Sequence, residues 1–171
     1  MSMSDQTSTS ATAIATGLLY REGEYLDQRK WQQWLELYTQ DAVYWVPAWR
    51  NEDEPTSDPD SEMSQIYHSS RRGLEERVMR VESGKSVTAR PLPRTTHFIS
   101  NIVAGDEADD TISVRANWMV QFFQPHRGVQ YTNFGHYQLS LKQGGNGWQI
   151  ATKTIYLNND LVPALLDFYM L

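Results

Sequence analysis

The sequence predicts an α+β chain in which helices come first and a strongly curved antiparallel sheet follows, packed on those helices. Three observations predict it. Trp31, Trp34, Leu35 and Tyr38 recur at the spacing of one helix face. From Val43 the pattern becomes a short aromatic and β-branched run ended by Pro47, which reads as a strand. From Ile112 through Val114, Ala116, Trp118 and Val120 to Phe122, every second residue is apolar, the period of a strand with one buried face. Helices in one block and strands in another put the helices on one face of the sheet. A sheet bent over helices encloses a cone.

The elements follow in order. Residues 1–12 are rich in Ser and Thr, and they read as a disordered tail ahead of one domain over 13–171. A helix is expected from Ala13 to Asp27 with Ile14, Leu18 and Leu19 buried. The Trp31 helix comes next and passes through Thr39-Gln40-Asp41 into the Val43 strand. Arg50 to Glu62 carries six carboxylates and two prolines and reads as a solvated loop. A short helix then presents Leu74, Val78 and Val81, with Gly84 as its C-cap. Lys85 to Arg94 is a basic, Pro-interrupted loop. Strands follow from Thr95 to Val103, then over Ile112 to Phe122 after a turn at Asp109-Asp110, then through Tyr137, Leu139 and Leu141. Gly144-Gly145-Asn146-Gly147 is a hairpin turn. It leads into a strand with Trp148, Ile150, Thr152, Thr154 and Tyr156 in period. A last helix is expected from Asn159 or Asp160, holding Leu161, Leu165 and Leu166. Phe168-Tyr169-Met170-Leu171 is apolar or aromatic throughout, so it is expected to be buried rather than frayed.

Composition excludes several functions. The net charge of −6 disfavours nucleic acid and anionic membrane surfaces as partners. No run reaches the length of a membrane-spanning helix, and the N-terminal residues lack a secretory pattern; cytoplasmic residence is expected. The chain has no cysteine. That removes disulfides, a thiolate nucleophile and Cys-based zinc sites, and also iron–sulfur clusters, since even the Rieske type needs two thiolates.

Four blocks carry a resemblance: REGEYLDQRKWQQWLELYTQDAVYWVPAW from Arg21, MSQIYHSSRRGLEERVMRV from Met63, RTTHFISNI from Arg94 and LNNDLVPALLDFYML from Leu157. In this order they resemble the small (β) subunit of Rieske non-haem-iron aromatic-ring-hydroxylating dioxygenases. The similarity is greatest to the benzoate, toluate, anthranilate and halobenzoate branch. LYTQDAVYWVP also resembles the start of the cone-like fold of the nuclear-transport-factor-2-like, or cystatin-like, superfamily. The resemblance implies a subunit with no catalytic, cofactor-binding or metal-binding residue of its own. It implies that the Rieske [2Fe-2S] cluster and the mononuclear non-haem iron lie in a partner α subunit, with electrons from NAD(P)H delivered by a reductase. It further implies self-association as a trimer within an α3β3 hexamer.

The residues themselves offer few alternatives. His68, His97, His126 and His136 are scattered, with no short ligand spacing and no facial triad. His126 and His136 are placed on neighbouring strands. His97 within the cone is the candidate base of an alternative reading, a standalone dehydratase or isomerase working by acid–base chemistry. Asp27 and Asp41 are its candidate carboxylate partners, although turn and cap duty suits both. The tryptophans read as core.

Overall fold

The computed structural model describes residues 3–84, 91–105, 107–160 and 166–171. Helix α1 runs Met3–Asp27 and helix α2 runs Trp31–Glu36. Strand β1 is Tyr38–Pro47, β2 is Ser64–His68, helix α3 is Arg71–Glu82, and β3 is Arg94–Ala104. Three long strands follow: β4 Thr111–Gln124, β5 Val129–Gly144 and β6 Gly147–Leu157. A 3-10 turn at Phe168–Met170 comes last. The six strands form one sheet in the order β2-β1-β6-β5-β4-β3.

The alternation of β4 is realised in full. Ile112, Val114, Ala116, Trp118, Val120 and Phe122 are all buried, and Trp118 stacks on Tyr137 of β5 at 5.4 Å. Helix α3 buries Leu74, Val78 and Val81, and Gly84 beyond it takes φ 65, the left-handed value that ends a helix. Asp109 and Asp110 sit at φ 51 and 56, the left-handed pair of a tight hairpin turn closed by Ala108 and Thr111. Gly144 pairs with Gly147 across the two-residue loop between β5 and β6.

Several expectations are corrected. The sheet is not purely antiparallel, because β1 and β6 pair in parallel. The chain turns back once into β2 and then meanders through β3 to β6, so it meets β1 travelling the same way. Strand β1 begins at Tyr38, so Thr39-Gln40-Asp41 is strand rather than linker, and α2 is a short helix that stops at Glu36. Strand β2 has no counterpart among the expected elements; SQIYH pairs with β1 from Tyr44 to Pro47. The first helix begins at Met3 and so overlaps the expected tail, since adding residues to a formed helix is easy compared with nucleating one. Leu161 and Leu165 of the expected last helix lie outside the described residues, as do positions 85–90 of the basic loop. Arg94 opens β3.

The most consequential correction is in β6. Leu141 pairs with Ile150 but Ser140 pairs with Thr152, so Ala151 is an extra residue, a β-bulge. The bulge inverts the facing of everything after it. Thr152, Thr154 and Tyr156 turn outward, and Lys153, Ile155 and Leu157 turn into the core. Gly135 allows the end of β6 to close over the sheet, because a Cβ there would lie 1.8 Å from the Tyr156 carbonyl oxygen.

Candidate functional site

Two groups of ionisable residues lie inside or beside the cone, and each joins elements remote in sequence. The first comes from α1, β1, β5 and β6. Glu22 sits on the buried side of α1, where Leu18, Leu19 and Leu26 also point. The bulge at Ala151 delivers Lys153 opposite it. Lys153 Nζ donates to both Glu22 oxygens at 2.7 and 2.8 Å, and the Tyr38 hydroxyl donates to Glu22 Oε1. The ammonium also lies over the Tyr137 ring, 4.0 Å from its centroid. Tyr44 and Tyr137 line the same space. Burial, followed by the Glu22 charge, pushes the Tyr38 and Tyr44 hydroxyls well up, and the same two causes act on Tyr137. Burial lowers Lys153 despite the opposing pull of Glu22.

Relative exposure decides what this group can do. Glu22 is 2% exposed, Lys153 1%, Tyr38 0%, Tyr44 1% and Tyr137 1%. No surface is left for a reacting molecule. Each charge is satisfied by the other and by a phenol, which is how buried charges persist in folded proteins.

The second group is Asp27 with His97. Asp27 closes α1, and His97 lies in β3. His97 Nδ1 and Asp27 Oδ1 are 2.6 Å apart, the His97 main-chain N–H donates to Oδ2 at 3.0 Å, and the Thr95 hydroxyl donates to Oδ1 at 2.9 Å. Burial alone would raise the Asp27 carboxyl; the His97 and Thr95 hydrogen bonds and the His97 charge outweigh it and hold the group below the usual range. Asp27 therefore does more than turn duty: it is the carboxylate partner of His97. The pair has the look of an acid–base dyad, and it borders a cleft of about 480 Å³ lined by Leu19, Tyr20, Gly23 and Phe98 among others. The other ring nitrogen is taken, however. His97 Nε2 faces the Leu171 main-chain oxygen at 3.2 Å, and the imidazole is 2% exposed. With both nitrogens engaged, the ring has no free position for substrate.

The remaining candidates fall apart spatially. Asp41 is exposed on β1. His126 lies in the turn between β4 and β5 rather than on a strand, whereas His136 is on β5 and stacks on Tyr156 at 4.5 Å. His68 is on β2 beside Arg77. Among the described residues no three His, Asp or Glu side chains converge on one point. With no thiolate in the chain, these residues do not fit a Rieske cluster, and they offer no triad for a mononuclear iron.

The tryptophans are core and ties. Trp34 stacks on Phe168 at 4.7 Å, Trp31 meets it edge-on at 5.3 Å, and Trp49 Nε1 donates to the Leu157 carbonyl at 2.7 Å. Phe168, Tyr169, Met170 and Leu171 are at most 1% exposed, buried against the chain's own core.

Comparison with known proteins settles the family. Residues 21–164 match the family described as the ring hydroxylating beta subunit. The chain belongs to that family. It is 37% identical over 151 residues to the beta subunit of toluate 1,2-dioxygenase from Pseudomonas putida, covering 88% of this chain and 92% of the relative. The crystal structure of the benzoate 1,2-dioxygenase beta subunit from Burkholderia mallei is 31% identical and superposes with a TM-score of 0.78 over 93% of this chain and 96% of that one. A protein from Novosphingobium aromaticivorans described as NTF2-like with a cystatin-like fold superposes at 0.64 over 94% and 91% with 17% identity, a likeness of fold alone. The ring-hydroxylating beta subunit is thus a component of a multi-subunit aromatic-ring dioxygenase, and it has the cone-like α+β fold. Subunits of this kind associate with α subunits in oxygenase complexes. No helix among the described residues is long and apolar enough to cross a membrane.

Proposed function

We propose that this chain is the non-catalytic structural subunit of an oxygenase acting on benzoate-like aromatic acids, and that it supports α subunits which carry the Rieske cluster, the mononuclear iron and the substrate pocket. One observation carries the reading: an identity of 37% that spans 92% of a toluate dioxygenase beta subunit. The chemistry of the chain supports it. The Glu22–Lys153 pair is sealed, the His97 ring is engaged at both nitrogens, and the chain lacks thiolates. The same features weigh against a standalone dehydratase or isomerase, which needs convergent titratable groups open to a substrate.

The assembly proposed is a β trimer within an α3β3 hexamer in the cytoplasm, built from one domain per chain over 13–171. The outward face of the sheet supplies a surface for it. Phe98 pairs with Met119 and Met119 with Phe134 across β3, β4 and β5, and Phe98 and Phe134 are 47% and 46% exposed. A row of this kind on an open sheet marks an interaction surface. Co-expression with its α subunit tests the function. A stable complex that contains iron and oxidises an aromatic acid, with iron confined to α, is expected. A β chain that stays apart from α and dehydrates or isomerises a small molecule on its own overturns the proposal.

A further inference from the structure

Among the described contacts, hydrogen bonds hold segment 166–171 at both of its ends. At its far end, Asn133 Nδ2 donates to the Met170 carbonyl at 2.9 Å, and the Leu171 oxygen faces His97 Nε2. At its near end a relay starts from His68. Arg77 Nε donates to His68 Nε2 at 2.8 Å, Arg77 Nη1 donates to Asp167 Oδ1 at 3.1 Å, and the same oxygen accepts the Phe168 N–H at 2.9 Å. Phe168 then stacks on Trp34. The relay joins β2, α3 and the 3-10 turn.

We propose that this near end is an acid-released latch whose trigger is His68. An arginine has no acceptor, so the bond from Arg77 requires a lone pair on His68 Nε2, and the proton of the neutral ring must sit on Nδ1. Protonation turns Nε2 into a donor and sets two cations face to face. The ring has no easy escape toward the helix: a Cβ on Gly73 would lie only 2.2 Å from His68 Nδ1, so imidazole and helix are already in contact. Arg77 must turn away, Asp167 loses its counter-ion, and the Phe168 N–H loses a held acceptor. The far-end contacts do not involve His68, so the segment hinges open about residues 170–171 and uncovers the ring faces of Trp31 and Trp34.

The charged and titratable groups around His68 are Arg77, Arg80 and Glu76 of α3, with Tyr44 opposite it on β1 and Asp167 behind Arg77. Burial, then Arg77 and Arg80, lower His68, with Glu76 opposing weakly. A histidine depressed in the closed form binds its proton more readily when the latch is open. Closure is therefore favoured above histidine's ordinary value of about 6.5 and lost as pH falls below it. Asp167 acts in the opposite sense. Burial raises it, so its own protonation favours the closed form. Removing the His68 titration should leave only that contribution.

Hydrogen exchange of the full chain across 166–171, corrected for the intrinsic pH dependence of exchange and paired with Trp31/Trp34 fluorescence, reads the latch between about pH 7.5 and about pH 5, on either side of histidine's ordinary value. In the wild type, protection of the Phe168 and Met170 amides should fall as pH drops below histidine's ordinary value, by at most about tenfold per pH unit. His68→Gln keeps an acceptor for Arg77 but does not titrate, and its protection should stay flat or rise in acid. Arg77→Met should have lowered protection already at neutral pH and should lose no more in acid, since only the Asp167 contribution, which favours closure, remains; this keeps the test decisive if His68→Gln misfolds. Wild-type protection that does not change with pH overturns the latch, as does a His68→Gln profile that follows the wild type.

Discussion

Replacing Lys153 by Met tests whether the ionic pair within the cone is structure or chemistry. Lys153 and Glu22 are 1% and 2% exposed, and Nζ bonds both carboxylate oxygens. Removing the ammonium leaves a buried carboxylate with Tyr38 as its remaining hydrogen-bond donor among the described contacts. Breaking a buried pair from one side costs about 3–5 kcal/mol. That is a large part of a net stability of about 5–15 kcal/mol. At roughly 2–4 °C per kcal/mol for a chain of this size, the melting temperature should fall by about 6–20 °C. Replacing both members, Glu22→Leu with Lys153→Met, removes the orphaned charge, and it should recover most of the loss or exceed wild type, since hydrophobic replacements of buried pairs are often neutral or stabilising by about 1–4 kcal/mol. The assay is thermal or urea unfolding of the chain, followed by turnover per intact, iron-replete oxygenase containing the double variant. Near-normal turnover is expected. A double variant that folds and assembles normally, yet loses a hundredfold or more in turnover, would refute the structural reading, because a general acid or base is worth about 10²–10⁴-fold.

Three other outcomes are expected. Deleting Phe168 to Leu171 should destabilise the chain far more than loss of a frayed end. Each large side chain there contributes about 1.5–3 kcal/mol by burial, so unchanged melting and assembly would contradict the buried positions. His97→Ala should lower activity only through folding or assembly, at a cost of about 0.5–1.5 kcal/mol, or up to about 3 where Asp27 is stranded; turnover per intact complex is the measure. Glu62 should titrate at about 2, because the Ser57 N–H, then Arg50, then the Asp58 N–H hold its carboxylate. This lowered value means its contribution to loop order is present above the ordinary carboxylate range and fades as pH falls toward that figure. Carbon-detected NMR titration of the Glu62 carboxyl checks it, and an unshifted value would mean that the 50–62 loop is the freely solvated one first expected.

What the sequence made legible is what local spacing encodes. The β4 alternation, the α3 face and the Asp109-Asp110 and Gly145-Asn146 turns each depend on neighbours within a few residues. The buried fate of Phe168 to Leu171 was readable from composition alone. Misreadings arose where a distant partner decides. SQIYH is too short and polar to declare itself a strand until β1 pairs with it. Ala151 leaves no signature as a bulge in IATKTI, so the period of two alone puts Lys153 on the wrong face. The parallel β1–β6 pair joins residues far apart in sequence, for which spacing gives no signal, and spacing likewise does not separate Asp27 from Asp41 as the carboxylate partner of His97. One sign was present: Glu22 falls on the same helical stripe as Leu18, Leu19 and Leu26. A carboxylate on an apolar stripe needs a cation or a strong donor in the core, and Lys153, two residues before Ile155, was available to supply it.

The most direct test is metal and activity analysis of this chain alone and after co-expression with its α subunit. Purified alone, it should hold no stoichiometric iron and oxidise no aromatic acid; with α it should co-purify in fixed ratio, with all iron and acid-labile sulfide assigned to the larger chain. Tightly bound iron in the isolated chain, or turnover of an aromatic acid without α, would contradict the assignment of this subunit to a structural role.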